Sequence, residues 1–310
     1  MNKILCFGSL NMDYTYRVPH FVRAGETLAA REVLTFCGGK GLNQSIALAK
    51  AGGNVFHAGS IGTDGSFLLD ALKQANIDTA LVTVLQEEKT GHAIIQNTPD
   101  GENCILLFSG ANQRITTEQI DLALERFESG DLLVLQNEIN QIPYLIRKAK
   151  AKGMTVAFTP APMNEEVSGY PLEETDYILL NETEARALTA AGQNETLSAN
   201  DLADKLREAY PSVRFVLTLG AAGAFYTHQQ TLVFQPAFSV KAVDTTAAGD
   251  TFAGYFLQSV ISGHSPKEAL EIAAKAAAVC VTRRGASGSI PDREEVTSAD
   301  IQRLPSDFLA

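Results

Sequence analysis

Short apolar runs alternate with helical patterns along most of the chain, and this rhythm limits the possible folds more than any single motif does. Residues 4–7, 54–60, 132–136, 155–159, 177–180 and 215–219 read as buried strands. Residues 43–51, 66–74, 142–151, 182–190 and 199–208 carry helical spacing between them. Strand and helix in strict alternation specify βαβ units, hence a mainly parallel sheet with helices on both faces. The expected fold is a three-layer α/β/α sandwich. In such sheets the ligand sits beyond the carboxyl ends of the strands. The polar residues that fall at those ends are Asn11, Asp13, Asn137, Glu138, Asn181, Glu184 and Thr218 to Gly220.

Two stretches break the rhythm. Residues 14–36 alternate without a helical period, and residues 92–108 alternate around Pro99-Asp100-Gly101, a hairpin signal. Both read as strands of a small separate sheet able to close over a site as a lid. An edge extension of the main sheet fits the same pattern. The C-terminal part is helical at 252–262 and 267–282. Residues 1–310 are thus expected to form one domain, with a discontinuous lid from about 14–36 and 92–108.

Composition excludes several functions. A net charge of −11 argues against a nucleic-acid or anionic-membrane partner. No apolar run approaches the roughly 20 residues of a membrane span. Cys6, Cys37, Cys104 and Cys280 lack metal-ligand spacing and read as reduced thiols. The expectation is a compact cytoplasmic protein.

The stretch Asp244-Thr245-Thr246-Ala247-Ala248-Gly249-Asp250 leads small residues into an aspartate at a helix start. Small residues leave room for an anion, and a helix N-terminus offers free N–H groups and a positive dipole end. An acid beside that space can take a proton from an attacking hydroxyl. The parts suit phosphoryl transfer to an alcohol with Asp250 as base. They equally suit a tight turn with Asp250 as a first-turn charge.

Gly38-Gly39-Lys40-Gly41-Leu42-Asn43-Gln44 lets backbone approach a ligand, with Lys40 and Asn43 as hydrogen-bond donors. It is neither a Walker A loop nor a dinucleotide fingerprint, since Gln44 stands where the third glycine belongs. A glycine turn with a solvated lysine also fits. Asn11 and Asp13 point the same way if a strand continues through them, and such a pair suits vicinal sugar hydroxyls; Asx-turn chemistry is the alternative. Asn181 and Glu184 fit a capping box, or a place near phosphates where a carboxylate holds magnesium through water. Thr218-Leu219-Gly220-Ala221-Ala222-Gly223 reads as strand, turn and strand, either a backbone cradle for a nucleotide or a plain turn.

In collinear order these motifs resemble the ribokinase-like (phosphofructokinase B) carbohydrate kinases. Gly8-Ser9-Leu10-Asn11-Met12-Asp13, Gly101-Glu102-Asn103 with Gly110-Ala111-Asn112, and Arg283-Arg284-Gly285-Ala286 with Ser289-Ile290-Pro291 complete the set. The resemblance implies ATP-dependent phosphorylation of a sugar hydroxyl, with D-ribose to D-ribose 5-phosphate the first expectation. Deoxyribose, a ketose, a sugar acid or a nucleoside are alternative acceptors, and a non-catalytic sensor is a further alternative. It also implies pairing as a homodimer through the lid. By position, Asn11, Asp13, Gly39, Lys40, Gly41, Asn43 and Glu138 would hold the sugar. Asp250 would be the base, and Ala247, Ala248 and Gly249 the anion hole. Asn181, Glu184, Thr218, Gly220, Ala221 and Gly223 would serve ATP and Mg²⁺. A monovalent cation, usually K⁺, would be held by Asp244, Thr246, Cys280, Arg283, Gly285 and Ser289, several through backbone carbonyls. Ala274 and Lys275 depart from the family pattern, in which a His or Asn often flanks the adenine.

Overall fold

The structure is a computed structural model that describes residues 2–189 and 197–304. Its strands are β1 (Lys3–Phe7), β2 (Asn11–Arg17), β3 (Glu32–Gly38), β4 (Asn54–Gly62), β5 (Asp78–Leu85), β6 (Gly91–Asn97) and β7 (Asn103–Phe108). They continue with β8 (Leu132–Gln136), β9 (Thr155–Thr159), β10 (Tyr177–Asn181), β11 (Arg214–Thr218), β12 (Gly223–His228) and β13 (Thr231–Pro236). The helices are α1 (Lys40–Lys50), α2 (Ser66–Gln74), α3 (Thr117–Leu124), α4 (Ile142–Ala151), α5 (Glu182–Leu188), α6 (Ala199–Ala209), α7 (Ala248–Ile261), α8 (Pro266–Cys280) and α9 (Arg293–Ser298).

Among the described residues nine strands form the main sheet, in the order β13-β12-β11-β10-β9-β8-β1-β4-β5. From β5 across to β11 all pairs are parallel, and β12 and β13 add an antiparallel edge. Alternation along single strands builds the three layers. Leu132 and Val134 of β8 enter a core shared with α1, α7 and α8, while Leu133 and Leu135 enter a second core with α4 and α6 on the opposite face. Chain order reverses at β1, which is flanked by β8 and β4. That reversal opens a crevice at the carboxyl ends of β1 and β8.

The second sheet has four strands in the order β3-β2-β6-β7. No strand of it pairs with the main sheet among the described residues, so the edge-extension reading fails. Its central pair, β2 and β6, is parallel, with Asn11 opposite Gly91. The strands begin earlier than 14 and end later than 36, because β2 opens at Asn11 and β3 runs to Gly38. β7 is exposed throughout, with Ile105, Leu106 and Phe108 half or more accessible.

Several boundaries differ from expectation. α1 begins at Lys40 rather than 43 and α7 at Ala248 rather than 252, because glycines and alanines hide helix starts. β11 ends at Thr218, so Leu219 already belongs to the turn. β5, β13 and α3 carry no strong period in the sequence. The expected end of the helix at 182–190 lies, at Ala190, outside the described residues. The alanines of α8 serve a helix contact: Ala269, Ala273 and Ala276 are wholly buried in the core that holds α7. No described helix is long and apolar enough to cross a membrane.

Candidate active site

Glycine brings α1 to the crevice. Gly39 caps the helix with φ 93°, and a Cβ there would meet the Ser9 carbonyl oxygen at 2.9 Å. A Cβ on Gly41 would lie 2.4 Å from the Ser9 nitrogen, so only glycine allows the helix so close to the β1–β2 turn. The contact is then bonded: the Leu42 N–H donates to the Ser9 carbonyl at 3.0 Å. Beyond the turn, Asn11 and Asp13 project from β2 into the cleft as the period of two requires. Asn11 Oδ1 accepts from Asn112 Nδ2 at 2.7 Å.

Asp250 comes from the opposite wall. Ala247 caps α7 in the left-handed region at φ 60°, which places Asp250 in the first turn. Its carboxylate is gripped from α1. Asn43 Nδ2 donates to Oδ2 and Gln44 Nε2 to Oδ1, each at 3.0 Å. Gln136 Nε2, at the end of β8, donates in turn to Gln44 Oε1 at 2.8 Å. Asp250, Asn43, Gln44 and Gln136 are all buried. The first N–H groups of α7 have no intrahelical acceptor. A Cβ on Gly249 would meet nothing within 4 Å, and its φ is not positive. Neither packing nor backbone conformation therefore requires glycine at 249, whereas an anion resting over the helix end would.

Between these walls lies a cleft of about 1240 Å³. Its charges are coupled. Asp250 above all, then Glu138, Glu184 and Asp13, hold the Lys40 ammonium above its ordinary value against the effect of burial. Burial raises the Glu138 carboxyl even though Lys40 and a hydrogen bond from Ser9 oppose it. Glu138 also accepts from the Lys40 backbone N–H at 2.9 Å. Burial, then the nearby Glu138 charge, pushes Asp13 from 3.8 to about 7. Gly38 makes room for that carboxylate, since a Cβ there would overlap it at 2.0 Å.

The loop before α7 closes on the segment after α8. Asp244 Oδ1 accepts from the Thr246 N–H at 2.9 Å and its hydroxyl at 2.6 Å, and Oδ2 accepts from the Gly285 N–H at 3.0 Å. Burial opposes ionisation of Asp244, but these bonds outweigh it and hold the carboxyl below its usual range. Cys280 Sγ lies 3.1 Å from Ser289 Oγ, and the Cys280 carbonyl accepts from the Arg283 N–H at 3.1 Å. The Arg283 side chain is turned away in a two-pronged pair with Glu295, leaving only its backbone for a cation. The Asp244 carboxylate, the Thr246 hydroxyl and the Cys280 carbonyl are oxygen donors of the kind that suits a hard monovalent ion.

The remaining residues stand apart. Asn181 and Glu184 form the capping box of α5: Asn181 Oδ1 accepts from the Glu184 N–H at 3.0 Å, and Glu184 Oε2 accepts from the Asn181 N–H at 2.9 Å. Thr218 donates to the Leu180 carbonyl at 3.3 Å. Gly220, with φ 56°, and Ala221 form the turn between β11 and β12. Gly223 has a packing reason, since a Cβ would lie 2.2 Å from the Gln235 carbonyl oxygen. None of these residues lines the cleft; only charge links them to it, through the influence of Lys40 and Asp250 on Glu184. Among the described residues no cluster of three or more His, Cys, Asp or Glu could hold a metal ion alone. Magnesium would therefore need phosphate oxygens to complete its shell. Four residues had no role assigned from sequence, although Ser9, Gln44 and Asn112 stand in the motifs quoted above: Ser9, Gln44, Asn112 and Gln136. The available signal was a polar residue closing an apolar strand, as Gln136 does after Leu132-Leu133-Val134-Leu135.

Residues 1–293 match the family described as pfkB family carbohydrate kinase. A ribokinase of Haemophilus influenzae is 36% identical over 296 residues, covering 93% of this chain and 95% of its own. A deoxyribokinase of Salmonella typhi is 32% identical over 305 residues, covering 94% of this chain and 96% of its own. The solved ribokinase of Arabidopsis thaliana, complexed with ribose and ATP, has a TM-score of 0.86 at 27% identity and covers 96% of this chain and 97% of its own.

Proposed function

The chain belongs to the pfkB family of carbohydrate kinases, and on that premise we propose that it transfers the γ-phosphoryl group of ATP to the 5-hydroxyl of D-ribose. One observation carries the reading. The Asp250 carboxylate has both oxygens held by amide donors, at the wall of a cleft it shares with Asn11, Asp13, Lys40, Asn43 and Glu138. A carboxylate fixed in this way is a base whose orientation is set before the sugar arrives.

In this reading Asn11, Asp13, Asn43, Glu138 and the Gly39 to Gly41 backbone hold the sugar. Asp250 takes the proton as the hydroxyl attacks in line. The Gly249 N–H would face the developing phosphoryl charge, the Ala248 N–H would join it by leaving the Thr245 carbonyl to which it donates at 3.2 Å, and Lys40 would share the charge. The open space over Gly249 supports this assignment. Asn181, Glu184, Thr218, Gly220, Ala221 and Gly223 would serve ATP, and Glu184 would hold Mg²⁺ through water. K⁺ would sit among Asp244, Thr246 and the carbonyls near Cys280, Arg283, Gly285 and Ser289, fixing the shape of the anion loop. The small sheet acts as the lid. Its exposed Ile105, Leu106 and Phe108 suit pairing with a second copy of the chain. Light scattering tests that pairing: a dimer that Leu106→Glu converts to monomer is the expected result.

The relative named deoxyribokinase favours a second acceptor, 2-deoxyribose. Asn11 and Asp13, two polar groups side by side, favour the sugar with the extra hydroxyl. An ATP-consumption assay with ribose, deoxyribose, ketoses, sugar acids and nucleosides, with and without K⁺, decides. Ribose is expected to turn over fastest and to need K⁺. Faster turnover of any other acceptor overturns the ribose assignment.

A further inference from the structure

We infer that Gln44 and Gln136 are positioning residues, two amides in series that fix the rotation of the Asp250 carboxylate and so select the lone pair it offers to the sugar hydroxyl. The inference rests on the reading of Asp250 as the base. Its foundation is the direction of each hydrogen bond. An ionised carboxylate only accepts, so Gln44 must turn its Nε2 toward Oδ1, where it sits at 3.0 Å. Its Oε1 then faces away and needs a donor. Gln136 supplies one, with Nε2 at 2.8 Å. Reversing either amide sets oxygen against oxygen or NH₂ against NH₂. The series therefore has one orientation in which both of its contacts are hydrogen bonds, dictated from the Asp250 end. Asn43 Nδ2 fixes the second oxygen at 3.0 Å.

The slot for this series is built. A Cβ on Gly8 would come within 2.3 Å of Gln136 Oε1 and 2.6 Å of the Gly41 Cα, so glycine at 8 is what admits the amide. Gln136 Oε1 itself has no protein partner. Gln44 and Gln136 are 1% and 0% exposed. Wholly buried amides at the end of an apolar strand and in a helix interior are unfavourable unless their bonds are needed, and leucine would fill the volume without that penalty. The charged and titratable groups whose fields reach Asp250 are Lys40 from α1, Glu138 after β8, Glu184 from α5 and Cys6 from β1. Burial pushes the Cys6 thiol up to about 11, which leaves it neutral near pH 7. Replacing the two glutamines alters none of these charges, so any effect on the base must pass through the amides.

The test is a set of turnover–pH profiles for Gln44→Met, Gln136→Met and the double variant, measured with sugar KM and Tm. Gln44→Met is expected to lower turnover by about 10- to 100-fold and to move the acidic half-point of turnover up by about one pH unit, as loss of a donor to a carboxylate does. Sugar KM should change by less than about threefold, because sugar contacts remain. Gln136→Met should move the half-point in the same direction by less. The double variant should reproduce Gln44→Met, since Gln136 reaches Asp250 through Gln44 and its other contact, Nε2 to Cys6 Sγ at 3.6 Å, involves a neutral thiol. Additive shifts, or an unmoved half-point, overturn the inference. If Gln44→Met gives no folded protein, Gln136→Met decides alone: a lowered Tm with an unmoved half-point means packing only and overturns the inference. Asp250→Asn, run alongside, separates the two levels. Its loss of turnover with unmoved half-points in the glutamine variants sinks the series and leaves the base. Retained turnover in Asp250→Asn sinks both.

Discussion

The proposed acceptor and donor ends of the site are held together differently. At the acceptor end, residues distant in sequence grip one another. Asn43 and Gln44 hold Asp250, Ser9 and the Lys40 N–H hold Glu138, and Asn112 holds Asn11. At the donor end, Asn181 and Glu184 bond each other within one helical turn, and Thr218 bonds the neighbouring strand. The first arrangement exists only in the folded molecule; the second is largely local. A buried network loses much when one member is removed, because the others are left unpaired. A local cap loses about one bond. Sensitivity to mutation should therefore be concentrated at the acceptor end.

The sharpest attempt to break that contrast is Asp250→Asn. Loss of a general base is expected to lower turnover by about 10²–10⁴-fold, measured with saturating sugar and ATP. Retained turnover would remove the chemical reason for the acceptor-end network. Next comes Asn11→Ala, which deprives Asn112 Nδ2 of its shortest acceptor. Sugar KM should rise by about tenfold, the scale of one buried unpaired donor, while ATP KM stays near wild type.

A subtler test uses proton linkage. Asp13 titrates at about 7 in the fold against 3.8 ordinarily, so between those values the folded chain binds the proton that the unfolded chain has released. Its contribution to stability is full below about pH 4 and is lost as pH rises through about 7. Tm followed across that window should fall for wild type and fall less for Asp13→Asn. Equal slopes would show that the Asp13 carboxylate is not strained by burial. The smallest effect belongs to the donor end. Asn181→Ala should cost about 1 kcal/mol of stability in urea titration. ATP KM should change by less than about threefold; a rise beyond tenfold would make Asn181 more than a cap.

How well the sequence could be read follows the same division between local and distant contacts. β8 and β9 were legible to the residue, because strands buried on both faces write unbroken apolar runs. β5 and β13 were not, since edge strands of mixed exposure give a weaker period. The capping box at Asn181 and Glu184 could be read from spacing alone. Asp250, Lys40 and Asn43 stood out by their glycine and alanine surroundings. Gln44 could be seen only as a departure from a dinucleotide fingerprint; its partners Asp250 and Gln136 lie 206 and 92 residues away. Asn112 and Ser9 stood in quoted motifs, but their bonds were hidden for the same reason, because no local pattern records a bond spanning a hundred residues.

The strand order has a further consequence, for synthesis. From β1 outward, β8, β9, β10, β11, β12 and β13 lie side by side in the order in which they leave the ribosome. Each new strand meets an edge already made by its predecessors, and no later strand must insert between earlier ones. Asp250 lies beyond β13, on α7. The pocket walls bearing Asn11, Lys40 and Glu138 are thus translated well before the carboxylate that would activate the hydroxyl, and the proposed base is the last of the proposed acceptor-end residues to be made.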